Sequence, residues 1–336
     1  MRTIQWFFVW LLLAVSAVAQ GQFTFNVTSP SSGTPSTPTF LGSNNTVRFN
    51  ANNAVRELTV TVTAINTTTN SQVVREDRFT PNSDNKIDGS IILNFNQATT
   101  EGNYIIEVRA RYSNDPPASA TLVTLTDLIL DVTKPKVIDF NPTNNSFVGG
   151  GNRIIRATVR ETNLKEYRVQ INGQDIPNNT GTSLVNNELQ VTWDTTGIIS
   201  DGPQTVSINI KDKANNETTQ TFTVTLDRVA PTVTISAPRT DAPPSRNSDF
   251  NIVVDTNDFG GGSVDVTGID VIIRSTSGAF IYRVPRVSFS QGPSSRWIGR
   301  VRGLAVQLPN TFRIDVTVTD RAGNQAVTQR ATITLR

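Results

Sequence analysis

Residues 211–233 read KDKANNETTQTFTVTLDRVAPTV. The passage is a turn, an alternating strand, a joint carrying a proline, and the first residues of another strand. In Thr219–Leu226 the apolar Phe222, Val224 and Leu226 fall on every second position, the period of a strand with one buried face. The same passage returns elsewhere. Leu130-Asp131-Val132-Thr133-Lys134-Pro135 aligns with Leu226-Asp227-Arg228-Val229-Ala230-Pro231, each placing Asp after a last strand and Pro four residues later. The stretch is therefore one period of a repeat.

Laid out from that period, the chain predicts three units, at 20–132, 133–228 and 229–336. Each opens on a strand ending in proline: Phe23–Pro30, Val137–Pro142 and Val233–Pro238. Each then carries an apolar trio on one parity or a single aromatic before its late turn: Ile91, Leu93 and Phe95; Leu189, Val191 and Trp193; and Trp297. Phe95, Trp193 and Trp297 are expected as plugs between two sheets rather than as a platform for stacking sugars. Glu101-Gly102 and Asp201-Gly202 mark turns before a penultimate strand, and Asn172-Gly173 is a two-residue hairpin signal. About seven short strands per 100 residues is the pattern of an immunoglobulin-like β-sandwich. The predicted fold is all-β, three such sandwiches in tandem, and a joint this short with a proline in it limits swivelling.

Residues 1–19 read as a signal peptide. Arg2 precedes an apolar run from Trp6 to Val15, and Ala17-Val18-Ala19 sets cleavage before Gln20. The run is shorter than the roughly 20 residues of a spanning helix, and no second apolar segment follows. The expected location is outside the cytoplasm: secreted, periplasmic or at the cell surface.

The 336 residues contain no Cys and no His. Each unit must hold by packing alone, with no disulfide-linked partner. Ser-His-Asp and Cys-His nucleophile systems and ordinary zinc sites are excluded. Carboxylate-pair hydrolysis stays open chemically, yet no local acid cluster marks a cleft.

Asp320-Arg321-Ala322-Gly323-Asn324, and its variant Asp212-Lys213-Ala214-Asn215-Asn216, resemble the D-x-A-G-N hairpin of bacterial immunoglobulin-like (Big-type) repeats. The resemblance extends to the strand before the hairpin and the Asp-x-x-x-Pro joint. In the first unit Tyr112–Pro117 replaces the hairpin. The resemblance implies non-catalytic parts of exported bacterial surface proteins, serving as spacers, adhesins or envelope components. The expected function is a semi-rigid spacer and binding module without enzymatic activity; a carbohydrate-binding or enzyme-accessory module is the alternative.

Two sets of residues are candidates for recognition. Between Asp270 and Arg313 there is no acidic residue, while arginines recur at 274, 283, 286, 296, 300 and 302. Arg296, Arg300 and Arg302 share a parity opposite to Trp297. With Arg283 and Arg286 they form a face suited to an anionic envelope polymer or an acidic surface protein. No aromatic shares the parity of Arg296, Arg300 and Arg302, which argues against nucleic acid. The second set lies in Asp255–Asp265, which starts like an EF-hand loop and then fails: Phe259 takes the fifth position and Val266 the twelfth. Asp255, Asn257, Asp258 and Asp265 are its oxygen donors for calcium. The joint residues Asp131 and Asp227, and the turn residues Asp212, Asp320 and Asn324, read as turn and joint chemistry.

Overall fold

The computed structural model describes residues 23–96, 99–198, 200–258, 264–290, 294–302 and 307–336. The leader expected at 1–19 lies outside them. The chain divides into two compact units: the residues up to Lys134 with Lys211–Glu217, and Pro135–Ile210 with Thr218–Arg336.

The first unit is built from β1 (Thr24–Ser29), β2 (Thr39–Leu41), β3 (Asn44–Asn52), β4 (Leu58–Asn66), β5 (Gln72–Phe79), β6 (Lys86–Asn94), β7 (Gly102–Tyr112) and β8 (Thr121–Leu130). They form two sheets, β1-β3-β6 and β2-β8-β7-β4-β5. Alternation decides which face is buried. Val60, Val62 and Ala64 of β4 point inward with Ile106, Val108 and Ala110 of β7. Ile91, Leu93 and Phe95 close the core from the other sheet. The aromatic end of this core sets Phe25 tilted against Phe49 at 5.2 Å and Phe49 edge-on to Phe79 at 4.9 Å.

The second unit contains two further cores. The strands around the first are β9 (Lys136–Asn141), β10 (Phe147–Val148), β11 (Asn152–Arg160), β12 (Leu164–Ile171), β13 (Gln174–Gly181), β14 (Glu188–Asp194), β15 (Gly202–Asp212) and β16 (Glu217–Leu226). Their order, β14-β11-β9 and β10-β16-β15-β12-β13, repeats that of the first unit strand for strand. Around the second core lie β17 (Thr232–Ala237), β18 (Phe250–Asn257), β19 (Val264–Arg274), β20 (Phe280–Arg283), β21 (Arg286–Phe289), β22 (Ser294–Val301), β23 (Thr311–Asp320) and β24 (Gln329–Thr334), paired as β17-β18-β22-β21 and β20-β19-β23-β24. Three separate hydrophobic clusters, one per sandwich, are present among the described residues. The fold is all-β and consists of tandem sandwiches.

Trp193 and Trp297 are core plugs, 0 % and 2 % exposed. Space for the second is made by a glycine: a Cβ on Gly299 would lie 2.1 Å from the Trp297 ring. The turns explain the abundance of asparagine. Ten asparagines among the described residues, including Asn172 and Asn215, sit at positive φ, which asparagine tolerates better than other residues with a Cβ.

Two kinds of strand escape the sequence reading. The parallel pairs β2–β8 and β10–β16 involve only three and two residues of the shorter strand, too few to show a period. The edge strand β5 is exposed on both faces, so its pattern does not alternate.

Candidate functional site

The D-x-x-x-N turns do more than reverse the chain. In the β23 turn, Gly323 at φ 88° lets the loop close, and Asp320 holds it: Oδ1 accepts the Asn324 backbone N–H at 2.8 Å and Oδ2 accepts Asn324 Nδ2 at 2.8 Å. So fixed, Nδ2 also donates to the Asp227 carbonyl at 2.8 Å, within the joint that follows β16. The joint is itself braced. Asp227 Oδ1 accepts the Val229 N–H at 3.1 Å, and Arg228 reaches Asp201 through its backbone N–H at 2.9 Å and Nε at 2.6 Å. Gly149 is needed here, because a Cβ there would lie 2.7 Å from the Ala322 carbonyl oxygen.

The first unit repeats this set with different residues. Asp212 accepts the Asn216 N–H and Nδ2, both at 2.8 Å, and Asn216 Nδ2 donates to the Asp131 carbonyl at 2.8 Å. Glu101 Oε1 takes the Val132 N–H at 2.8 Å, in the place of Asp201. A Cβ on Gly42 would stand 2.7 Å from the Ala214 carbonyl oxygen, as at Gly149. Burial pushes the Asp212 carboxyl above its ordinary value; the Asn216 bonds oppose the shift and the Asp131 charge adds to it.

Asp258 joins the second of these joints. Its carboxylate, that of Asp227 and that of Asp320 each offer an oxygen within 4.8 Å of the others, and all three side chains are buried. An all-oxygen donor set suits a hard cation. Without one, three carboxylates at this spacing repel one another through a medium of low dielectric. Asp258→Asn is therefore expected to raise the melting temperature by several degrees in chelator-treated buffer at neutral pH, measured by scanning calorimetry.

The four loop residues Asp255, Asn257, Asp258 and Asp265 are divided by strand alternation. Asp255 and Asn257 leave the outer face of β18, while Asp258 turns inward, 3 % exposed. Asp265 lies on β19, and its side chain is outside the described residues, as are 259–263. Asp255 is engaged elsewhere: Arg296 Nε donates to its Oδ1 at 2.6 Å and Nη2 to its Oδ2 at 3.3 Å, and the Ser236 hydroxyl donates to Oδ2. Arg296 holds the Asp255 carboxyl below its usual range, so this pair weakens only as pH falls through that lowered value.

The five arginines of the expected face are spread over three strands of two sheets: Arg283 ends β20, in the β20-β19-β23-β24 sheet, and the other four belong to β21 and β22 of the opposite sheet or follow them. Arg296, Arg300 and Arg302 are exposed on and just after β22, opposite Trp297, and Arg286 is exposed on β21. Arg300 Nη2 meets Asp249 at 3.0 Å, and Arg283 meets Asp270 at 3.0 Å. Three of the five arginines thus carry a carboxylate brought by a different strand or the loop before one. Exposed pairs of this kind contribute little to stability.

No family model and no curated protein matches the sequence. Solved structures align with the chain at low identity and low TM-score. The fibronectin(III)-like modules of CbhA from Clostridium thermocellum align over 60 % of this chain and 94 % of theirs, at 14 % identity and a TM-score of 0.39. A structure concerned with host cell surface retention of a 1.5-MDa bacterial ice-binding adhesin aligns over 94 % of this chain and 98 % of its own, at 17 % identity and 0.32. A Ca2+-stabilized adhesin of an Antarctic bacterium aligns over 95 % and 74 %, also at 17 % and 0.32. These neighbours are bacterial fibronectin(III)-like modules and adhesins. Among the described residues no helix is long and apolar enough to cross a membrane.

Proposed function

We propose that this chain is a non-catalytic spacer and adhesion module of an exported bacterial protein, made semi-rigid at its joints. The observation that carries the reading is the turn asparagine: Asn216 and Asn324 each donate to the carbonyl of the aspartate that ends a preceding last strand, both at 2.8 Å. A linker tied by side-chain-to-backbone bonds on a turn that is itself locked has few free dihedrals left. Repetition of the device along the chain is what a spacer needs, since each joint must transmit position to the next domain.

Contact with a partner falls to the arginine face. Arg286 and Arg302, on the sheet that also carries the paired Arg296 and Arg300, offer forked donors to an anionic envelope polymer or an acidic surface protein, with Arg283 on the edge strand of the other sheet. Arg286→Gln/Arg300→Gln/Arg302→Gln is expected to lower retention on isolated envelope fractions at least about tenfold, the effect of losing roughly 1.4 kcal/mol of contact. The loss should grow at low salt, where charge contacts are least screened. Equal retention of both proteins would remove the arginine face from the account.

A further inference from the structure

A second binding surface lies on the outer face of the β17-β18-β22 sheet. Register brings six polar side chains into two rows of three. Thr232 faces Asn257, which faces Ser294; Thr234 faces Asp255, which faces Arg296. All six line one recess of about 560 Å³. Neighbouring strands are about 4.8 Å apart and alternate residues on a strand about 6.4–6.8 Å, so the rows form a grid on the scale of a sugar ring and its neighbour.

We infer that this recess binds a neutral saccharide through vicinal hydroxyls. Four observations lead there. The volume lies within the roughly 300–1,000 Å³ of small-molecule sites. The six side chains contain no aromatic ring and no aliphatic side chain, so an apolar ligand has no floor to lie on. Asp255 and Arg296 form one unit with no net charge, which disfavours a polyanion at this place. That unit sets acceptor oxygens beside donor N–H groups, and a hydroxyl, which both donates and accepts, is matched by such a pair. Arg296 has five N–H groups and uses two on Asp255, leaving donors for a ligand. On the other row Ser294 Oγ donates to Asn257 Oδ1 at 3.4 Å, a long bond that an incoming hydroxyl can replace.

The site is separate from the arginine face in what it recognises, although Arg296 borders both. It rests on the reading of the chain as a binding module, and its test leaves Arg286, Arg300 and Arg302 untouched. Maltotriose, cellotriose, chitotriose and a galacturonic acid trimer would each be titrated into the 15N-labelled chain and followed by amide and Arg side-chain Nε–Hε shifts. The expected result is that at least one neutral trimer moves Thr234, Asn257, Ser294 and the Arg296 Hε together, with a Kd of about 1 mM or tighter, and that the acidic trimer binds less well. Arg296→Gln and, independently, Asn257→Ala should each weaken that binding about tenfold while the remaining spectrum stays folded. Asn251→Ala, exposed on β18 but outside the recess, should leave it unchanged. Absence of shifts with all four trimers overturns the proposal, as does preferred binding of the acidic one. If saccharide binding fails while envelope retention still depends on the arginines, the recess is ruled out and the arginine face stands.

Discussion

Trp193→Ala is expected to cost about 3–5 kcal/mol, the range for truncating a fully buried large aromatic. The side chain is 0 % exposed and lies in the cluster with Leu189, Val191, Ile208 and Val224. A domain of this size has roughly 5–15 kcal/mol to lose, so the variant should keep its fold only marginally. Hydrogen exchange should read this locally: amides of β11, β14 and β15 exchange far faster, while those of β4 and β7 around the first core keep their protection. Trp193→Phe separates two contributions. It keeps most of the ring, and it removes an indole Nε1 that has no hydrogen-bond partner in the structure. That variant should cost no more than about 1–2 kcal/mol, because the burial lost is partly offset by removing an unsatisfied donor. Unchanged exchange in Trp193→Ala would mean that the ring is not a core plug, and would reopen its use as a sugar-stacking surface.

The second large effect is expected at Asn324. Its Nδ2 bonds both the Asp227 carbonyl and Asp320 Oδ2, each at 2.8 Å. Asn324→Ala removes both and leaves a buried carboxylate with one donor fewer, a cost of about 2–3 kcal/mol for bonds to a charged group. Asn324→Asp is the sharper variant, because it keeps the shape and replaces the donor with a fourth carboxylate beside Asp227, Asp258 and Asp320. It should be worse than alanine at neutral pH. Proteolysis of the joint between Leu226 and Thr232 reports the result, with faster cleavage in the order wild type, Ala, Asp. Asn216→Ala should open the joint at Asp131 in the same way.

How much of this could be read from the sequence depends on whether the relevant contacts were local. Alternation exposed the core strands, since one buried face forces a period of two, and the parity of Ile91, Leu93 and Phe95 placed all three inside. Turn chemistry was equally readable: Asn172-Gly173 forms the predicted two-residue hairpin, and Gly323 and Asn215 adopt the positive φ expected of them. The joints were visible as a spacing, but their mechanism was not. Asp227 and Asn324 are 97 residues apart, and the bond between them appears only when β23 is brought beside the end of β16.

The candidate sites show the same limit. The run of arginines after Asp270 reads as free of acids because Asp249 and Asp255 reach it from β18 and the loop before it, some 40–50 residues earlier, through registry that a linear count cannot supply. On an EF-hand spacing the Asp255–Asp265 loop reads as a single ligand set. Alternation on β18 instead sends Asp255 outward and Asp258 inward, where Asp258 meets carboxylates from two other elements. Asp227 and Asp320, which read as joint and turn chemistry, have those roles and also form this buried group. The signal that could have drawn them together is the repetition itself: the same aspartate recurs at both joints, opposite a turn aspartate at both.

The joint at Asp227 is tested most directly by spin labels on either side of it. The chain has no native cysteine, so Gln190→Cys on β14 and Thr332→Cys on β24, both exposed, can be labelled without removing anything. Double electron–electron resonance on this pair should give a single narrow distance distribution, which Asn324→Ala broadens. A broad distribution in the unsubstituted joint, unchanged by Asn324→Ala, would contradict a semi-rigid spacer held by its turn asparagines.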